Sequence, residues 1–173
     1  MSTTPLRFGL KFVAAFTLLL GAFEASRGTA FERLVVESLM LAPTASLINA
    51  VTPNEHVELA GRTLVSPGGA NLRVTRGCEG VEILLLLVAA MFAFPASLER
   101  RVRGLIVGSI LAYALSIFRL MSLHYILRYN PVLWEALHGL VLPLGPIVLL
   151  SLYFLRWSSP ATAACADPTF RET

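Results

Sequence analysis

Three side chains in this chain of 173 residues are candidates to react together, as a thiol nucleophile, a charge inside an apolar run and a general base: Cys78, Arg119 and His138. Cys78 lies in Thr75-Arg76-Gly77-Cys78-Glu79-Gly80, just before a long apolar run. A thiolate is the reactive form of cysteine, and the N-terminus of a helix lowers a thiol's pKa. Arg76 adds positive charge, and Gly77 and Gly80 allow close backbone approach. Arg119 interrupts the apolar sequence Ala114-Leu115-Ser116-Ile117-Phe118-Arg119-Leu120-Met121. A charge at the centre of a spanning helix costs about 2.5–3.5 kcal/mol on insertion scales, so such residues usually face a polar cavity. Ser116, three residues earlier on the same face, is a candidate to orient the guanidinium. His138, in Trp134-Glu135-Ala136-Leu137-His138-Gly139, has the chemistry of a general base, with Glu135 one turn away to orient the ring. Each residue also has a structural reading: a small buried hydrophobe for Cys78, a snorkelling charge for Arg119, an interfacial ring for His138.

The elements that carry these residues are apolar. Hydrophobic residues make up 55% of the chain and charged ones 14%. A soluble domain averages about 25% charged residues, so a water-facing surface of this size is excluded. The runs 8–23, 81–98, 104–126 and 135–155 read as spanning helices, and Asn130-Pro131 separates the last two. The segment 31–50 reads as an interfacial or re-entrant helix that Pro43 breaks or kinks. Residues 57–74 alternate apolar and polar around Ser66-Pro67-Gly68-Gly69, a pattern compatible with a β-hairpin. The expected fold class is therefore an all-α polytopic membrane helix bundle with a small extracytoplasmic segment. Its parts are a first transmembrane helix (1–24), the extracytoplasmic segment (25–78), a three-helix core (79–156) and a disordered cytoplasmic tail (157–173).

Orientation follows from the basic residues. Arg100, Arg101 and Arg103 mark a cytoplasmic loop, and Arg7, Lys11 and Arg156 agree with it. The segment 24–79 holds five arginines against six glutamates and lacks a basic excess. Keeping 99–103 inside requires an even number of crossings before it, which is why 31–50 is expected not to span. Helix rise then brings Cys78, Arg119 and His138 to a similar depth on the outer side. His56 is expected in solvent, and His124, about 140° around the helix from Arg119, toward the headgroups. Cys165 falls in the tail. No HExxH, paired CxxC, GxGxxG or P-loop occurs, so no metal or nucleotide cofactor is expected.

These motifs resemble the exosortase/archaeosortase family of membrane cysteine transpeptidases, in particular the short bacterial exosortases. Arg76-Gly77-Cys78-Glu79-Gly80 is similar to the family's Cys-x-Gly at a helix start. Ala93-Phe94-Pro95-Ala96 and the basic stretch 100–103 follow. Ser116-Ile117-Phe118-Arg119 is similar to its Asn-x-x-Arg motif, and His138 opens the last helix. The resemblance covers roughly 74–156. Ser116 replaces the usual Asn, and no acidic residue immediately precedes His138. The resemblance implies an enzyme in the bacterial inner membrane that faces the periplasm. It would remove C-terminal sorting tails from exported proteins, with Cys78 as nucleophile, Arg119 as oxyanion partner and His138 as acid–base, and Ser116, Gly80 and Glu135 in support. The rival reading is a non-enzymatic membrane assembly factor for polysaccharide or protein export. A third is a haem or quinone protein using His124 and His138.

Overall fold

A computed structural model of the chain describes residues 5–75, 77 and 79–159. Cys78, Arg76, Cys165 and the rest of the tail beyond 159 lie outside the described residues.

The first apolar run folds as α1 (Pro5–Ala25). A tight turn through Gly28, at φ 78°, leads into α2 (Ala30–Val51), 22 residues long. Three short strands follow: β1 (Glu58–Ala60), β2 (Thr63–Val65) and β3 (Asn71–Arg73). They form an antiparallel meander in the order β1-β2-β3, with Leu64 opposite both Leu59 and Leu72. The turn expected at Ser66-Pro67-Gly68-Gly69 is the β2–β3 connection, closed by the Gly69 N–H donating to the Ser66 carbonyl at 2.9 Å. Then come α3 (Val81–Ala93), α4 (Leu98–Tyr129) and α5 (Pro131–Ser158).

Several boundaries differ from the sequence reading. α3 stops at Ala93 and not at 98, because Phe94 precedes Pro95 and takes an extended ψ of 134°. α4 begins at Leu98, so Arg100, Arg101 and Arg103 belong to its first turns and not to a loop. Glu99 and Arg103 pair along that helix at 2.6 Å. α5 is helical from Pro131, and His138 lies in a widened π turn, Leu137–Val141, and not at the helix start.

Side-chain contacts give the packing direction. Phe8 of α1 meets Phe94 at one end of the pair, and Arg27 reaches Glu79 at the other. α1 and α3 are therefore antiparallel. α3 and α4 are antiparallel as well: Gly80 faces Ser116, Leu87 faces Gly108 and the Phe94 carbonyl accepts from Arg101. Gly104 and Gly108 let α5 close on α4, where the Tyr153 hydroxyl donates to the Gly104 carbonyl at 2.7 Å. The lower end of the bundle thus holds Phe8, Phe94, Phe154 and Trp157 in ring contact, capped by the Arg100 guanidinium over Trp157. α3 has 13 residues, about 20 Å, and α4 has 32, about 48 Å. The upper half of α4 therefore rises past α3. There α2 and the sheet enclose it in a second core of Leu41, Ile48, Leu64, Leu72, Leu120 and Leu123.

Pro43 does not break α2. The helix runs through it by widening into a π-helical segment, Leu34–Leu41. Proline offers no N–H to the carbonyl one turn back, here Leu39. The Tyr113 hydroxyl of α4 donates to that carbonyl at 2.8 Å, and higher up the Tyr125 and Thr52 hydroxyls pair at 2.8 Å. α2 therefore runs alongside the upper half of α4. By length and composition α1, α2, α4 and α5 are each long and apolar enough to cross a membrane. The chain still returns to the end it left, since Arg27 and Glu79 meet at 2.8 Å.

Tyr113→Phe should cost about 0.5–1.5 kcal/mol, as the loss of one hydrogen bond does. Much of that cost should disappear in a Pro43→Ala background, where the substituted alanine supplies its own N–H. Thermal unfolding of the four variants in detergent measures the coupling.

Candidate functional site

The Gly77–Gly80 turn is held from two sides. Gly77 and Gly80 both take positive φ, 79° and 81°. At Gly80 a side chain is excluded twice, by this backbone and by the Ser116 hydroxyl, with which a Cβ would collide. Ser116 donates to the Ala112 carbonyl at 2.9 Å and packs on Gly80. The sequence reading has it orient Arg119; among the described residues the hydrogen bond of its hydroxyl is the one to Ala112. Arg119 itself is 4% exposed and directs Nη1 to the Gly77 carbonyl at 3.4 Å. Its Nε is buried with no hydrogen-bond partner among the described residues. The guanidinium thus reaches the residue that precedes Cys78 in the chain.

On the other side of the turn lies an ionic knot that the sequence reading did not assemble. Glu79 is fully buried, and its Oε1 accepts from Arg27 Nη1 at 2.8 Å and from Arg62 Nη2. Arg27 and Arg62 also share Glu32 Oε1, at 3.1 and 2.7 Å. The Gly28 N–H donates to Glu32 Oε2 at 2.6 Å. Glu24 pairs with Arg27 at 2.7 Å, and Glu82 approaches it at 4.0 Å. Hydrogen bonding to Glu24 raises Arg27 above its ordinary value, against burial, which lowers it. The knot ties together the ends of α1 and α3, the start of α2 and the β1–β2 turn. Its sequence signal was the near balance of arginines and glutamates across 24–79.

His138 is half-buried and stacks on Trp134 with centroids 4.9 Å apart. Trp134 packs against the upper core that contains Leu120 and Leu123. His138 is therefore at the same end of the bundle as Arg119. Glu135 is exposed on the adjoining turn. His56 is exposed, as expected, with φ 44°.

His124 corrects its expected position toward the headgroups: it is fully buried. The arc of α4 covered by α2, the sheet and α3 is wide enough to bury both Arg119 and His124. The His124 Nε2 lies 3.6 Å from Glu55 Oε2. Glu55 is the centre of a second polar cluster, accepting from Ser66 at 2.8 Å, Tyr129 at 2.8 Å and Arg128 at 3.3 Å. The hydroxyl of Ser66, then that of Tyr129, lower the Glu55 pKa to about 2 from 4.5. Arg128 also grips the Gly68 carbonyl at 2.7 Å, so this cluster fastens the β2–β3 turn to the top of α4. Among the described residues no group of three or more His, Cys, Asp or Glu is arranged to hold a metal ion.

A depressed carboxylate stabilises the fold above its unfolded pKa and loses that contribution as pH falls through the folded value. Glu55 should therefore stabilise the upper core fully above about pH 4.5 and progressively less toward about pH 2. Glu55→Gln should unfold at lower temperature than the parent at neutral pH, with the gap closing near the acid end. Melting curves in detergent across that range test it. Searches with this chain match no family model, no curated protein and no solved structure.

Proposed function

We propose that this chain is a membrane-embedded cysteine transpeptidase of the exosortase kind, acting at the outer face of a bacterial inner membrane. The observation that carries the reading is Arg119. A guanidinium 4% exposed inside an apolar helix is costly, and this one donates to the carbonyl of the residue before Cys78. A buried positive charge beside a thiol is the arrangement that lowers a thiol's pKa and stabilises an oxyanion.

In this mechanism the Cys78 thiolate attacks the scissile carbonyl of an exported protein near its C-terminal spanning tail. Arg119 stabilises the charge that develops on the oxygen. His138 takes the thiol proton and returns it to the leaving amine as the C–N bond breaks. The resulting thioester is resolved by an acceptor amine or by water. Gly77 is exposed, with open space where a side chain would stand, and leaves room for a substrate backbone at the turn, while Gly80 is taken up by its packing on Ser116. The supports are the buried guanidinium, the glycine turn and the presence of His138 at the same end of the bundle.

Co-expression of a tagged substrate with each variant, followed by immunoblotting for tail removal, tests the reading. Cys78→Ala should abolish processing. Arg119→Ala should slow it by about 10²–10³-fold, as loss of an oxyanion donor does. Arg119→Lys should recover little, because a point charge does not reproduce the guanidinium fork. His138→Ala should cost about 10²–10⁴-fold. Full processing by Cys78→Ala would overturn the mechanism and favour the assembly-factor alternative.

A further inference from the structure

Glu79 follows Cys78 directly in the chain. A carboxylate beside a thiol opposes its ionisation. A nucleophilic cysteine with an unneutralised glutamate as its neighbour would work against itself. Here Glu79 is fully buried, and two guanidiniums meet on one of its oxygens. We propose that Arg27 and Arg62 are positioning residues of the site: by holding Glu79 they offset its charge next to Cys78 in the chain, although they share their own charge with Glu24, Glu32 and Glu82, and so let Arg119 act there. This rests on the reading of Cys78 as the nucleophile.

The cluster around Glu79 holds four carboxylates to two guanidiniums, so loss of either arginine leaves it more negative. Glu24 and Arg27 close the end of α1, Glu32 opens α2, Arg62 sits in the β1–β2 turn and Glu82 lies in the first turn of α3. Arg119 comes from α4 on the opposite side of the turn, His138 from α5, and Arg76 is a neighbour in the chain. Glu32 and Glu79 each accept from both arginines, so the two carboxylates and two guanidiniums form a closed ring. Arg62 is the lever for an experiment. Its side chain is 32% exposed and it belongs to a turn, so its replacement removes one partner of Glu79 without emptying an apolar core.

The test uses the full chain in detergent with Cys165→Ser, so that Cys78 is the sole thiol. The rate of its alkylation by iodoacetamide is measured against pH, beside the melting temperature. Arg62→Ala should raise the apparent thiol pKa by about one unit, slowing alkylation at neutral pH about tenfold. Arg62→Lys should recover most of the loss. Adding Glu79→Gln to Arg62→Ala should return the profile to the parent's, because the opposing charge is gone. A purely structural role would lower the melting temperature and leave the pH profile in place. A profile unchanged by Arg62→Ala, or one that Glu79→Gln fails to restore, overturns the inference. A profile that moves with Arg119→Ala but not with Arg62→Ala overturns this inference alone. A thiol that is inert at every pH, or that ignores Arg119→Ala, overturns the catalytic reading beneath it.

Discussion

A fully buried carboxylate has to be neutralised where it lies, and Glu79 is such a group. Desolvating an ion costs several kcal/mol, and removing one partner of a buried pair typically costs about 3–5 kcal/mol. The partners of Glu79 come from segments far apart in the chain, Arg27 at the end of α1 and Arg62 in the β1–β2 turn. To satisfy one charge the chain must leave the top of α1, build α2 and the sheet, and come back to the same point. Much of the upper architecture can be read as the scaffold that brings these two arginines to one oxygen.

The two halves of the bundle are held by different physics. The lower half is a contact of rings and small residues: Phe94, Phe154 and Trp157 against one another, and Tyr153 and Trp157 over Gly108 and Gly104. The upper half has an aliphatic core, but polar links register its parts. Tyr113 satisfies the carbonyl that Pro43 strands, Tyr125 meets Thr52, and Glu55 gathers Ser66, Tyr129 and Arg128. In apolar surroundings such links have few competitors from water, and each fixes one element against another.

The spanning character of the chain was legible because apolar run length is a one-dimensional property. The β2–β3 turn was legible for the same reason, through Pro67, Gly68 and Gly69. Helix ends were less so. Phe94 could have been read as the stop of α3 from the proline after it, whereas the basic residues of 100–103 looked like a loop and proved to be helical. Pro43 misled because a proline's cost depends on whether another element can supply the missing donor, and Tyr113 lies 74 residues away from the carbonyl it serves. Ser116 was assigned by its spacing from Arg119, and its packing on Gly80, outside its own helix, was not foreseen. His124 and Glu79 were missed together. Treating α4 as having one buried face hid the first, and the proximity of Glu79 to Cys78 drew attention to the thiol and away from the carboxylate.

The shortness of α3 has a consequence for what must fill the bundle above it. Its 13 residues rise about 20 Å, while a hydrocarbon core is about 30 Å thick. α3 packs against α1, α4 and α5 with seven of its residues buried, so the shortfall of about 10 Å is met inside the protein by its neighbours. The height that α3 gives up above Gly80 is filled instead by the ionic knot, the sheet and α2 against the upper half of α4, so the Gly77–Gly80 turn lies at the joint between an apolar lower bundle and a polar-linked upper one.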